Sequence, residues 1–192
     1  MFKKIDKYII YIIAIICILF CISLSIVLLY KKIVPLDRVN ESDVILKDGA
    51  KNKKIISKLS INDKFGKNIK ESTSSYSYYE FEIENISDLD HDYQIYITKD
   101  SKDKGKEINN DYVKFYLTDD NNAPLGIFDS NIVPTYRSLN YIEDKPSSKI
   151  IYNGKINSKE HKKFILRVWI AGNYVISDDV KEFSFSLGVR AI

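Results

Sequence analysis

The chain has 192 residues, of which 45% are hydrophobic, 12% aromatic and 29% charged, and glycine and proline are scarce. This composition excludes a disordered, collagenous or low-complexity protein and allows one domain with a sizeable core. Residues 1–32 carry a net charge of +4, so the rest of the chain carries −1 of the total of +3, which argues against a nucleic-acid-binding protein.

The N-terminal part contains one long apolar stretch. Residues 8–30 are 23 residues without a charged side chain. About 20 helical residues cross the hydrocarbon core of a bilayer, and a signal-peptide core has only about 7–15. No A-x-A-like cleavage site follows the stretch, and neither cysteine lies in a lipobox-like context. The sequence therefore predicts a basic tail at 1–7 and an uncleaved transmembrane signal anchor at 8–30, with the lipid bilayer as its partner.

The charges on either side of this anchor bear on its orientation. Three lysines lie within residues 1–7, and Lys31, Lys32 and Arg38 follow the anchor, so the positive-inside rule is nearly balanced. The short basic head favours a single-pass protein of the cell membrane with a cytoplasmic N-terminus and an extracytoplasmic C-terminal domain. The alternative is a cytoplasmic domain held at the inner surface.

Both cysteines, Cys17 and Cys21, lie within the apolar stretch, so no disulfide can link residues of the remaining chain. A cysteine-free domain is typical of bacterial surface proteins and untypical of small animal secreted domains. The two cysteines are four residues apart and share one helix face. They could mark a helix–helix contact or a palmitoylation site, or simply be small apolar side chains that face lipid.

Beyond a stalk at residues 31–41, residues 42–192 show the alternation of apolar and polar residues that is typical of half-buried strands. Five runs carry the pattern, namely 78–86, 93–99, 112–118, 163–170 and 183–190. Shorter candidates are Val44–Leu46, Ile55–Ile61 and Lys149–Ile156. Polar segments separate the runs, and residues 119–142 are expected to form a long loop across one end. The sequence predicts a mostly β fold, an antiparallel β-sandwich of the Ig-like or jelly-roll-like kind with about 7–9 strands.

The apolar positions of these runs define a predicted core. Its members are Phe81, Ile83, Phe115, Leu117, Phe164, Leu166, Val168, Phe183, Phe185 and Leu187.

Three segments have a shape found in a known family. They are SKLSINDKFGK at 57–67, YYEFEIENISDLDHDYQIYIT at 78–98, in which a strand ends at Asn85, and IIYNGKINSKEHKKFILRVWI at 150–170. They resemble camelysin and TasA-type β-sandwich proteins of Gram-positive surfaces and biofilm matrices. The resemblance implies a bacterial surface protein with a sandwich fold and assigns no functional residue. The chain departs from the family where Ile61-Asn62-Asp63 replaces the usual Pro-Gly-Asp turn, and in its apparent anchor, since such relatives are often cleaved.

Three aspartates have the spacing of the first ligands in an EF-hand loop. Asp88, Asp90 and Asp92 fit, but the sixth position is Tyr93 rather than glycine and the twelfth is Lys99 rather than glutamate. They therefore remain candidates for a calcium site of another kind, the alternative being a solvated hairpin turn.

Motifs for catalysis and cofactor binding are lacking in this sequence. It has no HExxH, G-x-S-x-G, P-loop or GxGxxG pattern. The two histidines, His91 and His161, are expected in polar turns without zinc ligands nearby. We therefore expect no cofactor and no catalytic residue.

Five residues fall on strand faces opposite the predicted core and form a candidate partner surface, namely Tyr96, Tyr112, Tyr116, Arg167 and Trp169. Outward aromatic residues can serve as a binding platform. The alternative is that both faces of the sheet are covered.

These features favour a non-enzymatic cell-surface or envelope module with an interaction or structural role. The alternatives are a membrane-tethered hydrolase, which only the protease label of camelysin suggests, and an accessory subunit of a membrane or secretion complex.

Overall fold

The structure, a computed structural model, describes residues 11–12, 16–21, 23, 40–47, 53–56, 60–72, 77–100, 107–129, 131–175 and 181–192. The chain divides into two units, Met1–Arg38 and Val39–Ile192.

In the first unit, residues 11–12, 16–21 and 23 are helical and exposed. Within the described part of the chain, no helix has the length and apolar character needed to cross a membrane. The rest of the predicted anchor, the basic tail at 1–7 and residues 31–39 of the predicted stalk lie outside the described residues.

The second unit is mostly β, as predicted. Its strands are β1 Val44–Leu46, β2 Lys53–Ile56, β3 Ser60–Ile61, β4 Tyr78–Asn85, β5 His91–Lys99, β6 Val113–Asp119, β7 Asn140–Ile142, β8 Lys145–Ile156, β9 His161–Ala171 and β10 Glu182–Ala191. Its helical elements are the single turn α1, Asp63–Gly66, and two 3₁₀ turns, Glu41–Asp43 and Tyr136–Ser138.

The described residues thus form ten strands rather than seven to nine. Two local features account for the difference. The predicted run Ile55–Ile61 contributes to two strands, β2 and β3, and the predicted loop 119–142 contains the three-residue strand β7.

The strands form two five-stranded sheets. The first sheet has the order β1-β4-β9-β3, with β6 also paired to β9, and the second has the order β2-β10-β5-β8-β7. All these pairs are antiparallel except β3 with β9, which are parallel at Ser60–Ile170 and Ile61–Ala171. The expectation of antiparallel pairing is therefore correct for all but this short contact.

The core lies between the two sheets. The ring of Tyr79 in the first sheet lies 5.6 Å from that of Phe185 in the second, and Phe115 in the first sheet lies 6.1 Å from Phe183 and 5.9 Å from Phe185. Every member of the predicted core is buried. Facing apolar surfaces of two sheets are the arrangement of a β-sandwich.

The other face of the first sheet is covered as well. In β9, Leu166 and Val168 point into the sandwich, whereas Arg167 and Trp169 point away from it, yet all four are buried. A Cβ atom built on Gly66 of α1 would overlap the indole ring of Trp169, so the backbone of α1 lies directly on that ring. Only glycine permits so close an approach of helix and strand.

Residues 119–129 and 131–142 do not simply cross one end of the sandwich. They run along the edge of β6, where the amide of Phe115 donates to the carbonyl of Pro134 (3.1 Å) and the amide of Leu125 donates to the carbonyl of Leu117 (3.2 Å). Phe128 then packs over Tyr116 at a ring distance of 6.2 Å. The segment therefore satisfies backbone groups at an edge that β9 leaves open.

Asn85, at the end of β4, ties two turns together. Its side-chain amide donates to the carbonyls of Leu89 (2.6 Å) and Asn157 (3.0 Å), and its Oδ1 accepts from the amide of Ser87 (3.0 Å). The β4–β5 turn is thereby joined to the β8–β9 turn.

Candidate functional site

A polar cavity of about 730 Å³ opens on the outer face of the first sheet. It is lined by residues from β4, β6 and β9, from the segment that follows α1, and from the turn after β6. These residues are Lys67, Asn68, Lys70, Glu71, Ser72, Tyr78, Tyr116, Thr118, Asn122 and Arg167. Its volume is within the range of about 300–1,000 Å³ found for small-molecule sites.

The register of three strands builds the floor of this cavity. Arg167 of β9 pairs with Tyr78 of β4 on one side and with Tyr116 of β6 on the other. Directly opposed residues in antiparallel strands lie on the same face, so these side chains form a row across the sheet. The guanidinium carbon of Arg167 lies 5.3 Å from the ring centre of Tyr78.

Arg167 is 5% exposed and is held by three hydrogen bonds. Its Nε donates to the carbonyl of Ile69 (2.8 Å), Nη1 to Oγ1 of Thr118 (3.1 Å) and Nη2 to Oδ1 of Asn122 (2.5 Å). Asn122 has a φ of 64°, a left-handed conformation that asparagine tolerates better than most residues. All three acceptors are uncharged, and in the part of the chain that the structure describes no carboxylate pairs with Arg167.

The described residues of the lining include more cationic than anionic side chains. Among them, Lys67, Lys70 and Arg167 are cationic and Glu71 carries a carboxylate. Burial lowers the pKa of Arg167 from its ordinary value, while the neighbouring Tyr78 and Tyr116 act in the opposite direction. An arginine guanidinium nevertheless stays charged in proteins. The cavity therefore suits a ligand with negative charge.

The two tyrosines of the row stay protonated at physiological pH. Burial, with the hydrogen bond from its hydroxyl to Glu80 (2.7 Å), raises the pKa of Tyr78 to about 12. Burial also raises the pKa of Tyr116, and the nearby Arg167 lowers it by less. Both rings therefore offer neutral hydroxyl and aromatic surface next to the guanidinium.

Lys149 is a second buried cation, and its contacts are those of a residue with a purely structural role. The Nζ of Lys149 donates to the carbonyls of Arg137 (2.8 Å) and Leu139 (2.9 Å) and lies 4.1 Å from the ring centre of Tyr141. Burial lowers the pKa of Lys149. Lys149 is enclosed by backbone and aromatic groups, whereas Arg167 faces a cavity.

The prediction that the five outward residues form one exposed partner surface is wrong. Trp169 is 0% exposed and Tyr116 8%, because α1 covers the former and Phe128 packs on the latter. Tyr112 is half-buried against Tyr174, with ring centres 5.2 Å apart. Tyr116 and Arg167 instead belong to the cavity. Trp169 lies beneath α1, and its indole N–H has no hydrogen-bond partner in the described structure.

Tyr96 lies on the other sheet. It pairs with Gly188 of β10, and its ring occupies the space that a side chain at Gly188 would need. The ammonium group of Lys145 lies 5.6 Å from the centre of this ring. Tyr96 is therefore separate from the cavity around Arg167.

The three candidate calcium ligands have separate partners. Asp88 pairs with Lys159 (3.0 Å), Asp90 accepts from the amide of Ser158 (2.8 Å), and Asp92 lies 3.5 Å from Lys155. Across the described ranges, no three His, Cys, Asp or Glu side chains are grouped so that they could hold a metal ion. The structure does not bring the three aspartates into one group.

The prediction that both histidines lie in polar turns is wrong, because each is the first residue of a strand, His91 of β5 and His161 of β9. His91 is the first residue of β5 and is buried, with Nε2 3.5 Å from a carboxylate oxygen of Asp43. It is buried because alternation in β5 turns it to the same side as Tyr93 and Ile95. His161 is exposed, with Nδ1 2.8 Å from a carboxylate oxygen of Glu82.

Of the ten residues that line the cavity, sequence reasoning named only Tyr116 and Arg167, and the missed residues that lie at the guanidinium itself are Tyr78, Thr118 and Asn122. Alternation does place Tyr78 and Thr118 on the outward face together with Tyr116 and Arg167. The contribution of Asn122 depends on its left-handed backbone and on a contact 45 residues away in sequence, which no local pattern records.

Comparison with known proteins gives little further information. No family model and no curated protein matches the chain. Among solved structures it is similar to the C-terminal domain of a chitobiase from Bacteroides fragilis, with 13% identity and a TM-score of 0.28, over 81% of this chain and 98% of the other. A TM-score this low does not establish a shared fold.

Proposed function

We propose that the chain is a non-enzymatic envelope module that is anchored in a membrane and binds a ligand in the cavity around Arg167. Residues 8–30 serve as a single-pass anchor, with the N-terminus in the cytoplasm and residues 42–192 outside it. The uncharged run of 23 residues, the short basic head and the cysteine-free domain support this arrangement. The domain is a β-sandwich of the Ig-like or jelly-roll-like kind.

The observation that carries the binding role is the environment of Arg167. A buried charge without an opposite partner is costly to a fold, and an apolar residue would fill the same space more favourably. Arg167 is buried, has only uncharged acceptors among the described residues and faces a cavity of about 730 Å³. A bound ligand would supply the missing negative charge.

The cavity wall allows a direct test. Ser72 lines the cavity and is exposed, so Ser72→Trp should obstruct the cavity without disturbing the core. Ser147 is exposed on β8 of the second sheet, and Ser147→Trp is the matched control. The full chain in detergent micelles would be mixed with detergent-washed insoluble envelope from its own source cells and sedimented.

We expect the original chain and Ser147→Trp to sediment with the envelope to the same extent. The bound fraction of Ser72→Trp should fall at least fivefold. Equal sedimentation of both tryptophan variants would exclude this cavity as the binding site, and no sedimentation of the original chain would exclude an envelope ligand.

A further inference from the structure

We infer that the ligand of this cavity carries a carboxylate group, which Arg167 binds through the N–H groups left on its two terminal nitrogens. This inference rests on the proposed function and narrows it to one ligand chemistry. It follows from the donors, the charges and the shape of the site.

The donors of Arg167 can be counted. A guanidinium has five N–H groups, one on Nε and two on each Nη. The bonds to Ile69, Thr118 and Asn122 use one N–H on each of the three nitrogens. Among the described contacts, one N–H therefore remains on Nη1 and one on Nη2, and two such groups match the two oxygens of one carboxylate.

The charges of the site favour one negative charge in contact with Arg167. The buried guanidinium carries a single positive charge, and the half-buried Lys67 and the exposed Lys70 carry the other positive charges of the lining. A doubly charged phosphate at Arg167 would need Lys67 or Lys70 to balance its second charge, whereas the buried guanidinium alone balances one carboxylate. The carboxylate of Glu71 on the same lining opposes a second negative charge further.

The remaining lining accommodates the rest of such a ligand. The neutral hydroxyls and rings of Tyr78 and Tyr116 lie on either side of Arg167. Asn68, Ser72 and Asn122 are exposed at the cavity wall and carry amide or hydroxyl groups. A lining of aromatic rings, hydroxyl groups and amide groups suits a carboxylic acid that carries several hydroxyl groups at least as well as one that carries none.

Ligand-observed NMR can test the inference on the full chain in detergent micelles. The probes are sodium glucuronate with neutral glucose as its control, and acetate with acetamide as its control, so that each pair differs mainly in the charge. Inorganic phosphate is the fifth probe. Binding of glucuronate but not acetate would indicate a sugar acid, and binding of both a simple carboxylate site; either result supports the inference.

The decisive variants are Arg167→Gln and Arg137→Gln. Arg137 is an exposed arginine paired with Asp111 (2.9 Å) and serves as the control. We expect at least tenfold weaker carboxylate binding for Arg167→Gln and a change of less than twofold for Arg137→Gln. Neither glucose nor acetamide should compete.

A second pair of variants is available should Arg167→Gln not fold. Ser72→Glu adds a negative charge at the exposed wall, and Ser72→Gln adds a similar side chain without charge. Carboxylate binding should be at least threefold weaker for Ser72→Glu than for Ser72→Gln.

Three results would overturn the inference. They are no saturable carboxylate binding by the folded chain, equal binding by the paired variants, and phosphate binding more than tenfold tighter than either carboxylate. If one of these results is found and Ser72→Trp nevertheless weakens envelope binding, the proposed function stands and only the ligand class is wrong. If Ser72→Trp leaves envelope binding intact, the proposed function itself is wrong.

Discussion

The indole ring of Trp169 and the backbone of Gly66 are in such close contact that no side chain larger than hydrogen fits between them. Trp169 is the only tryptophan of the chain and points away from the sandwich core. Because of this contact, the outward face of β9 is buried and forms a second layer. The contact also positions the segment 67–72, which forms a wall of the cavity.

Gly66→Ala should therefore destabilise the domain by about 1–3 kcal/mol, because the added methyl group must displace a buried ring or the helix turn. Gly172→Ala is a matched control, since a Cβ there would meet its nearest atoms at an ordinary 3.5 Å. It should change the free energy of unfolding by no more than about 0.5 kcal/mol. Urea unfolding followed by Trp169 fluorescence measures both, and equal effects would show that α1 does not press on the ring.

Because both faces of the first sheet are buried, truncating a side chain on either face should destabilise the domain. Leu166→Ala opens a cavity in the core and Tyr116→Ala opens one beneath Phe128, and each should cost about 2–5 kcal/mol. Val175 is exposed, so Val175→Ala should have little effect. A cost for Tyr116→Ala as small as that of Val175→Ala would mean that the outer face is open.

The alternation of apolar and polar residues was sufficient to predict the inner face. Phe81, Leu166 and Phe185 occupy alternate positions in long runs, and a period of two residues assigns them to one side of a sheet. The mostly β fold and most strand positions follow from the same local signal.

The outer face could not be predicted in this way. Trp169 and Arg167 alternate with the core positions and were expected at the surface. Their burial depends on α1 and on residues 119–129 and 131–142, whose places on the sheet are set by contacts distant in sequence. The alternation of apolar and polar residues indicates on which side of the sheet a residue lies, but not whether another segment covers that side.

The buried tyrosines should make the domain sensitive to alkali. Burial raises the pKa of Tyr136 to about 12, whereas the pKa of an unfolded tyrosine is about 10. The folded state holds the proton more tightly, so this contribution to stability is complete below about pH 10 and is lost as the pH rises through about 12.

Tyr136→Phe removes the titrating group together with the hydrogen bond to the carbonyl of Ser147 (3.2 Å). The stability advantage of the original chain over this variant should be constant from pH 7 to 9 and shrink from pH 10 towards 12. Urea unfolding across this range is the measurement. If the stability advantage of the original chain instead grew above pH 10, this would contradict a raised pKa of Tyr136 in the folded state.

The proposed anchor predicts an integral membrane protein. Alkaline carbonate washing should leave the full chain in the membrane pellet, because residues 8–30 carry no charge that would favour water. Protease added to intact cells should digest the chain beyond Arg38 while cytoplasmic marker proteins remain intact. Release of the full-length chain by carbonate would refute the anchor, and protection of the domain would reverse the orientation.

The account depends most on Arg167, and the chain has only four arginines. Their Nε–H resonances can be assigned in the isotopically labelled full chain by comparison with Arg167→Lys and Arg137→Gln. During a titration with sodium glucuronate, we predict that the Arg167 resonance shifts saturably while those of Arg137 and Arg190 stay in place, and that glucose shifts none of them. An Arg167 resonance that does not move, or that moves no more than the exposed Arg137, would contradict the assignment of this cavity as a carboxylate-binding site.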